Sequence, residues 1–272
     1  MPLIIAATDF SDVAQNAVKY ACDIASVQNA EVMIIHSFMV PVVFSDIPMP
    51  TSIVADAEND SEIQMRRLIA NTQTTYPSLQ ISGKIFYGGT VEVIEEYALE
   101  HNKPFLVVVG NNNLEDQDSW PDSTLIEALK DLKYPVLAVP PGYSFHQPQK
   151  ICFAFANEHS GIDAALIQLR ELVLLFDAEL HVLNVRTDNY NPADDADIDA
   201  TAKQILFAAS PAYHIVPCQS DIEHAISTFT ISHGIDMLAL IPHTHSFFQG
   251  LFHKSHTKAI AHISHIPLLA IH

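Results

Sequence analysis

Three groups of residues in this sequence have types and spacings that could do chemistry. Thr8-Asp9-Phe10-Ser11 ends an apolar run, Leu3 to Ala7, with a carboxylate able to accept hydrogen bonds from a ribose hydroxyl or a base amine. Gly110-Asn111-Asn112-Asn113 ends a second apolar run, Leu106 to Val109, where a glycine lets the backbone turn or approach a ligand closely. Ser123 and Thr124 then open a predicted helix. Its unpaired N–H groups and hydroxyls would face back toward that loop and suit phosphate oxygens. The third group is histidine. His243, His245, His253 and His256 give His-x-His followed by His-x-x-His, which could supply three or four ligands to zinc or another transition metal. No cysteine or nearby acid joins them, so a polar loop of solvated histidines is the competing reading.

Other chemistry has less support. The acidic run Asp194, Asp195, Asp197 and Asp199 lacks the glycine and distal glutamate of a calcium loop, and reads as a solvated helix N-terminus. There is no nucleophile elbow, no HExxH and no Walker loop, and no catalytic residue is nominated. The expectation is a protein that is not an enzyme.

Each of these groups needs strands and helices to hold it. Leu3 to Ala7 reads as a strand, and Ser11 or Asp12 caps a helix whose apolar face is Ala14, Ala17, Val18, Ala21, Ile24 and Ala25. Glu31 to Ser37 is a second strand, residues 38–54 are Pro-rich and irregular, and Ala55 to Tyr76 is a polar helix. Leu79 to Tyr87 is a third strand, residues 91–98 a helix, and Leu106 to Val109 a strand apolar enough to be covered on both faces. A short helix and Val136 to Val139 close the unit. Strands alternating with helices predict a parallel sheet sandwiched between helices.

The pattern then restarts. Asp177-Ala178-Glu179-Leu180-His181-Val182-Leu183 echoes Asn29-Ala30-Glu31-Val32-Met33-Ile34-Ile35, His233 repeats the place of His101, and Pro267 that of Pro135. The chain therefore reads as an internal duplication: a domain at 1–141, a linker at 142–149, and a second domain at 150–272. Length agrees, since 272 residues suit two units of about 130, each able to bury a core. A net charge of −19, from 32 acids against 13 bases, should repel nucleic acid and anionic membranes. No run approaches the roughly 18 apolar residues of a membrane span, and the N-terminal MPLIIAATDF reads as a first strand rather than a signal peptide. Cys22, Cys152 and Cys218 form no CxxC pair and read as buried thiols of a reducing cytoplasm.

The strand-ending Asp of AATDFSD, the order of elements and the loop after the fourth strand make the duplicated unit resemble the universal stress protein family in its tandem form. That resemblance implies two Rossmann-like, doubly wound, five-stranded parallel sheets of the adenine nucleotide alpha hydrolase-like type, ordered 3-2-1-4-5. Their last strands, Val136 to Val139 and Leu268 to Ile271, would pair within one chain as a pseudo-dimer, and two chains could associate further. Nucleotide-binding members of the family carry G-x2-G-x9-G-[S/T] after the fourth strand. Here the frame reads Gly110, Asn113, Ser123 and Thr124, so the two middle glycines are replaced. The resemblance implies that Ala7, Thr8 and Asp9 approach adenine and ribose, that Ser37 lies near the base, and that Val109 and the later loop surround the phosphates of ATP or AMP. Side chains at Asn113 and Ser123 oppose that use, as do Glu115, Asp116, Asp118 and Asp122, whose negative charge disfavours a triphosphate at close range.

The second copy departs further. Ala156 stands where Asp9 would, Pro242 follows the fourth strand, His245 replaces the next glycine, and Lys254-Ser255 or Ser255-His256 replaces the final pair. Three readings stay open: a cytosolic stress-response regulator that binds adenine nucleotide weakly in its first half, a ligand-free scaffold working through protein contacts, and a histidine-rich metal-binding variant.

Overall fold

The computed structural model describes residues 1–39, 51–111, 122–155, 162–186, 204–206, 209–217, 222–242 and 265–272, without the side chains of 51–54, 122–123 and 186. In the first half, β1 (Leu3–Ala7), α1 (Asp12–Gln28), β2 (Glu31–Phe38), α2 (Thr51–Thr75) and β3 (Ile81–Tyr87) are followed by α3 (Thr90–Glu100), β4 (Pro104–Gly110), α4 (Asp122–Asp131) and β5 (Val136–Val139). The second half repeats the layout. It runs β6 (Lys150–Phe155), α5 (Asp163–Phe176), β7 (Glu179–Arg186), β8 (Ala212–Pro217), α6 (Ile222–His233), β9 (Met237–Leu240) and β10 (Leu268–Ala270).

Among the described residues, ten strands join one sheet in the order β3-β2-β1-β4-β5-β10-β9-β6-β7-β8. Each half therefore has the expected 3-2-1-4-5 order, with parallel neighbours throughout. The antiparallel pair is β5 with β10, where Leu268, Leu269 and Ala270 face Ala138, Leu137 and Val136. The halves are thus two tandem doubly wound domains that share a sheet as a pseudo-dimer.

Burial explains why these segments are strands. All five residues of β1 are buried; Ile4 and Ala6 pack under α1, while Leu3, Ile5 and Ala7 join the core on the opposite face. Helix α1 starts where Ser11 caps it, its hydroxyl accepting from the Ala14 amide at 3.2 Å, and ends at Asn29 in the left-handed conformation that asparagine tolerates. Several boundaries differ from the sequence reading, those of α2 and β3 among them. Helix α2 begins at Thr51 rather than Ala55, and β3 begins at Ile81 rather than Leu79, because the Gln73 amide bonds the Leu79 carbonyl into the turn after α2.

Candidate functional site

In an open parallel sheet, ligands sit beyond the carboxyl ends of the strands where the strand order reverses, here between β1 and β4. The turn at the end of β1 is built from its own hydrogen bonds. The Thr8 amide donates to the Ile35 carbonyl at 2.9 Å, which ties β1 to β2. The Thr8 hydroxyl accepts from the Phe10 amide at 3.0 Å, and Asp9 Oδ1 accepts from the Ser11 amide at 2.9 Å. Asp9 is half-buried at the head of the sheet, with its carboxylate fixed by the turn it makes. Phe10 carries the strain of that turn, with φ at +66° in a residue that has a bulky side chain.

Beneath the turn lies His36, a residue that the sequence reading did not single out. Its Nδ1 is 2.8 Å from the Thr8 carbonyl, so this nitrogen carries the proton and donates. Its Nε2 then accepts from Ser61 Oγ at 3.4 Å. Burial outweighs the Thr8 and Asp9 contributions and holds its pKa below the ordinary histidine value, so the ring is neutral. The Phe10 ring lies over it, with centroids 4.4 Å apart. The sequence signal was present: a lone histidine within the apolar strand of EVMIIHS.

Ser37, expected beside the base, is at the end of β2, where its hydroxyl pairs with Thr90 Oγ1 at 2.8 Å. Ala7 is buried at the end of β1, and Val109 is buried in β4. Gly110 closes β4, and the first turn of α1 approaches it closely. A Cβ at Gly110 would lie 3.0 Å from Val13 Cγ1 and 3.1 Å from both the carbonyl carbon and oxygen of Val13. Packing against α1 is thus one reason for a glycine at this position. The neighbouring Asn111 is 2% exposed, with its amide bonded to the Val139 carbonyl at 2.8 Å and its side-chain Nδ2 lacking a partner among the described residues.

Ser123 and Thr124 are in the first turn of α4, which follows β4 and packs on β5. Thr124 is half-buried. Asn113 lies outside the described residues, as do Ala156, His243, His245, His253 and His256. Among the described residues no group of three or more histidines, cysteines or acids could hold a metal ion. No helix among them is long and apolar enough to cross a membrane.

Strand register refines one equivalence between the halves. Val107 and Leu238 donate to Pro135 and Pro267 in the same way, so Ile241 takes the place of Gly110 and Pro242 that of Asn111. The second half has an isoleucine, rather than a proline, where the first has its glycine.

The family model described as Universal stress protein family matches residues 2–140. No curated protein matches the sequence. Among solved structures, a universal stress protein from Archaeoglobus fulgidus DSM 4304 superposes with a TM-score of 0.67 at 13% identity, covering 99% of this chain and 95% of its own. A functionally unknown protein from Pseudomonas aeruginosa PAO1 gives 0.54 at 11% identity, over 100% and 92%. The cytoplasmic domain of a prokaryotic cation chloride cotransporter gives 0.52 at 8%, over 99% and 94%. At these identities the likeness is one of fold, and it extends over both halves.

Proposed function

The chain belongs to the universal stress protein family, and from that premise we propose a regulatory protein of the stress response whose first half binds ATP or AMP weakly. The observation that carries the reading is Asp9, held by its own turn at the head of the sheet between the ends of β2 and β4. Its carboxylate receives the ribose hydroxyls or the adenine amine. Ala7, Thr8 and Ser37 border the base, and Val109, Gly110, Asn113, Ser123 and Thr124 border the phosphates. Binding is weak because two glycines of the family's phosphate loop are side-chain-bearing residues here, and four acids stand in the same stretch. The second half lacks the carboxylate and the glycine and takes no nucleotide. Residues 1–141 and 150–272 are the two units, joined by 142–149.

Isothermal titration with ATP and AMP tests this reading. Asp9→Asn keeps an oxygen for the Ser11 amide and removes only the charge. A hydrogen bond to a charged group contributes about 1.5–3 kcal/mol, so the variant should bind at least about tenfold more weakly. Equal affinity in wild type and variant would remove Asp9 from the site. A second reading, a scaffold working through protein contacts, is favoured by Gly110 itself, whose close contact with Val13 serves α1 packing and needs no ligand.

A further inference from the structure

A cavity of about 510 Å³ opens at the amino ends of the first half's strands, the end of the sheet opposite Asp9. Its walls come from both halves: Lys103, Phe105, Lys133 and Tyr134 from the first, Leu172 and Leu175 of α5 from the second. Duplication gives this cavity an internal counterpart. Helices α1 and α5 end alike, at left-handed Asn29 and Asp177, and bury matching positions, Ala17, Val18, Ala21, Ile24 and Ala25 against Ala165, Leu166, Leu169, Leu172 and Val173. Tyr20 therefore corresponds to Gln168, and Gln28 to Phe176. By strand register Phe105 corresponds to Asp236.

The counterpart groove is filled, and its occupant is the chain itself. The segment joining the halves has no regular structure and lies along it. The Phe145 ring meets Tyr20 edge-on at 5.1 Å, and the Tyr143 ring is 6.3 Å from the same residue. Asn16 Nδ2 donates to the Pro140 and Tyr143 carbonyls at 3.2 and 3.3 Å. The Tyr143 hydroxyl donates to the Asp236 carbonyl at 3.4 Å, His146 Nε2 meets Asp236 Oδ1 at 3.1 Å, and Gln147 Nε2 donates to the Phe176 carbonyl at 2.7 Å. One linker can fill only one of two related grooves.

We propose that the open groove takes an extended, acidic peptide segment bearing an aromatic residue, supplied by another protein and seated as the linker is seated in its counterpart. The differences between the grooves set that chemistry. Tyr20 is replaced by the smaller Gln168, which makes room for an incoming ring, and Asp236 by Phe105, which offers that ring an aromatic face. The linker's partner carboxylate is gone, and Lys103 and Lys133 stand at the rim instead. Lys103 is exposed, and Lys133 is 77% exposed beside Glu95 at 3.2 Å. The incoming segment should thus carry a carboxylate where the linker carries His146. Glu171 of α5 also lines the cavity and Glu95 pairs with Lys133, so Lys103, without an ion pair among the described residues, is the cation that receives the incoming carboxylate in a chain of net charge −19. Lying at the opposite end of the strands, this site stands or falls independently of nucleotide binding.

Fluorescence polarisation with a labelled peptide of residues 141–147 carrying His146→Glu tests the assignment on the full chain. Saturable binding at one peptide per chain is expected. It should fall at least tenfold in Lys103→Glu, and likewise in Leu175→Glu, which changes a side chain already 39% exposed. A peptide with both aromatic residues changed to alanine should bind at least tenfold more weakly. No saturation up to millimolar peptide, or binding indifferent to Lys103→Glu and Leu175→Glu in variants with wild-type circular dichroism, overturns it. A dimer of the wild type that Leu175→Glu dissociates would also overturn it, because the groove would then belong to a second copy.

Discussion

Gly110→Ala separates a glycine required by packing from one required by a ligand. The added methyl would meet three atoms of Val13 at 3.0–3.1 Å, and two of them are backbone. A side chain can rotate away; a helix backbone capped by Ser11 moves only as a turn. Overpacking of this kind costs about 1–3 kcal/mol, and the alanine returns about 0.4–1 kcal/mol by restricting the unfolded chain. The net expectation is a loss of about 1 kcal/mol. Urea unfolding followed by circular dichroism would show this as a lower midpoint of the first half's transition. Val13→Ala removes only the Cγ1 contact, so the double variant should recover little of the loss. An unchanged or raised midpoint for Gly110→Ala, or full rescue by Val13→Ala, would refute the argument from backbone approach.

Other expectations follow from the same geometry. Phe10→Ala and Phe10→Gly both lose the ring over His36, but only glycine relieves φ at +66°, so the glycine variant should be the more stable by about 1 kcal/mol in urea melts. His181 Nδ1 and His214 Nε2 lie 3.0 Å apart between β7 and β8, and burial is the first cause lowering both pKa values. Lys150 and His233 lower His181 further and Glu179 opposes, while His181 and His233 lower His214. With folded values below the unfolded value of about 6.5, their stability is complete above that pH and is lost as pH falls through the folded values. Thermal melts from pH 8 to 5 should show a fall that His214→Gln reduces, and a flat profile would contradict this. Leu269→Asp puts a charge at a position 1% exposed and opposite Leu137, at a cost of several kcal/mol. Hydrogen exchange should then quicken at Val136–Val139 as well as in β10; unchanged β5 protection would mean the halves do not share a sheet.

How much was legible depended on whether a feature is local. The strands could be read because runs such as Leu106–Val109 and Leu3–Ala7 are apolar on both faces, and α1 because its alanines recur at helical spacing. The duplication was visible in two segments starting at Asn29 and Asp177, which proved to be matching left-handed helix ends. Gly110 was recognised as a site of close approach, but a sequence does not say what approaches. Only the fold brings Val13, far away in the chain, against it. His36 was passed over because a histidine in an apolar strand shows its purpose only through the Thr8 carbonyl beside it. Tyr143 and Phe145 read as linker because they follow no periodicity, and their partner Tyr20 belongs to another element. The register at Ile241 was off by one because the fourth strands and the fifth are joined by segments of different length.

The central claim is one nucleotide site, in the first half, organised by Asp9. Native mass spectrometry of the intact chain titrated with ATP tests it most directly. A single adduct per chain is expected, diminished in Asp9→Asn. No adduct at millimolar ATP, or two adducts per chain, would contradict it.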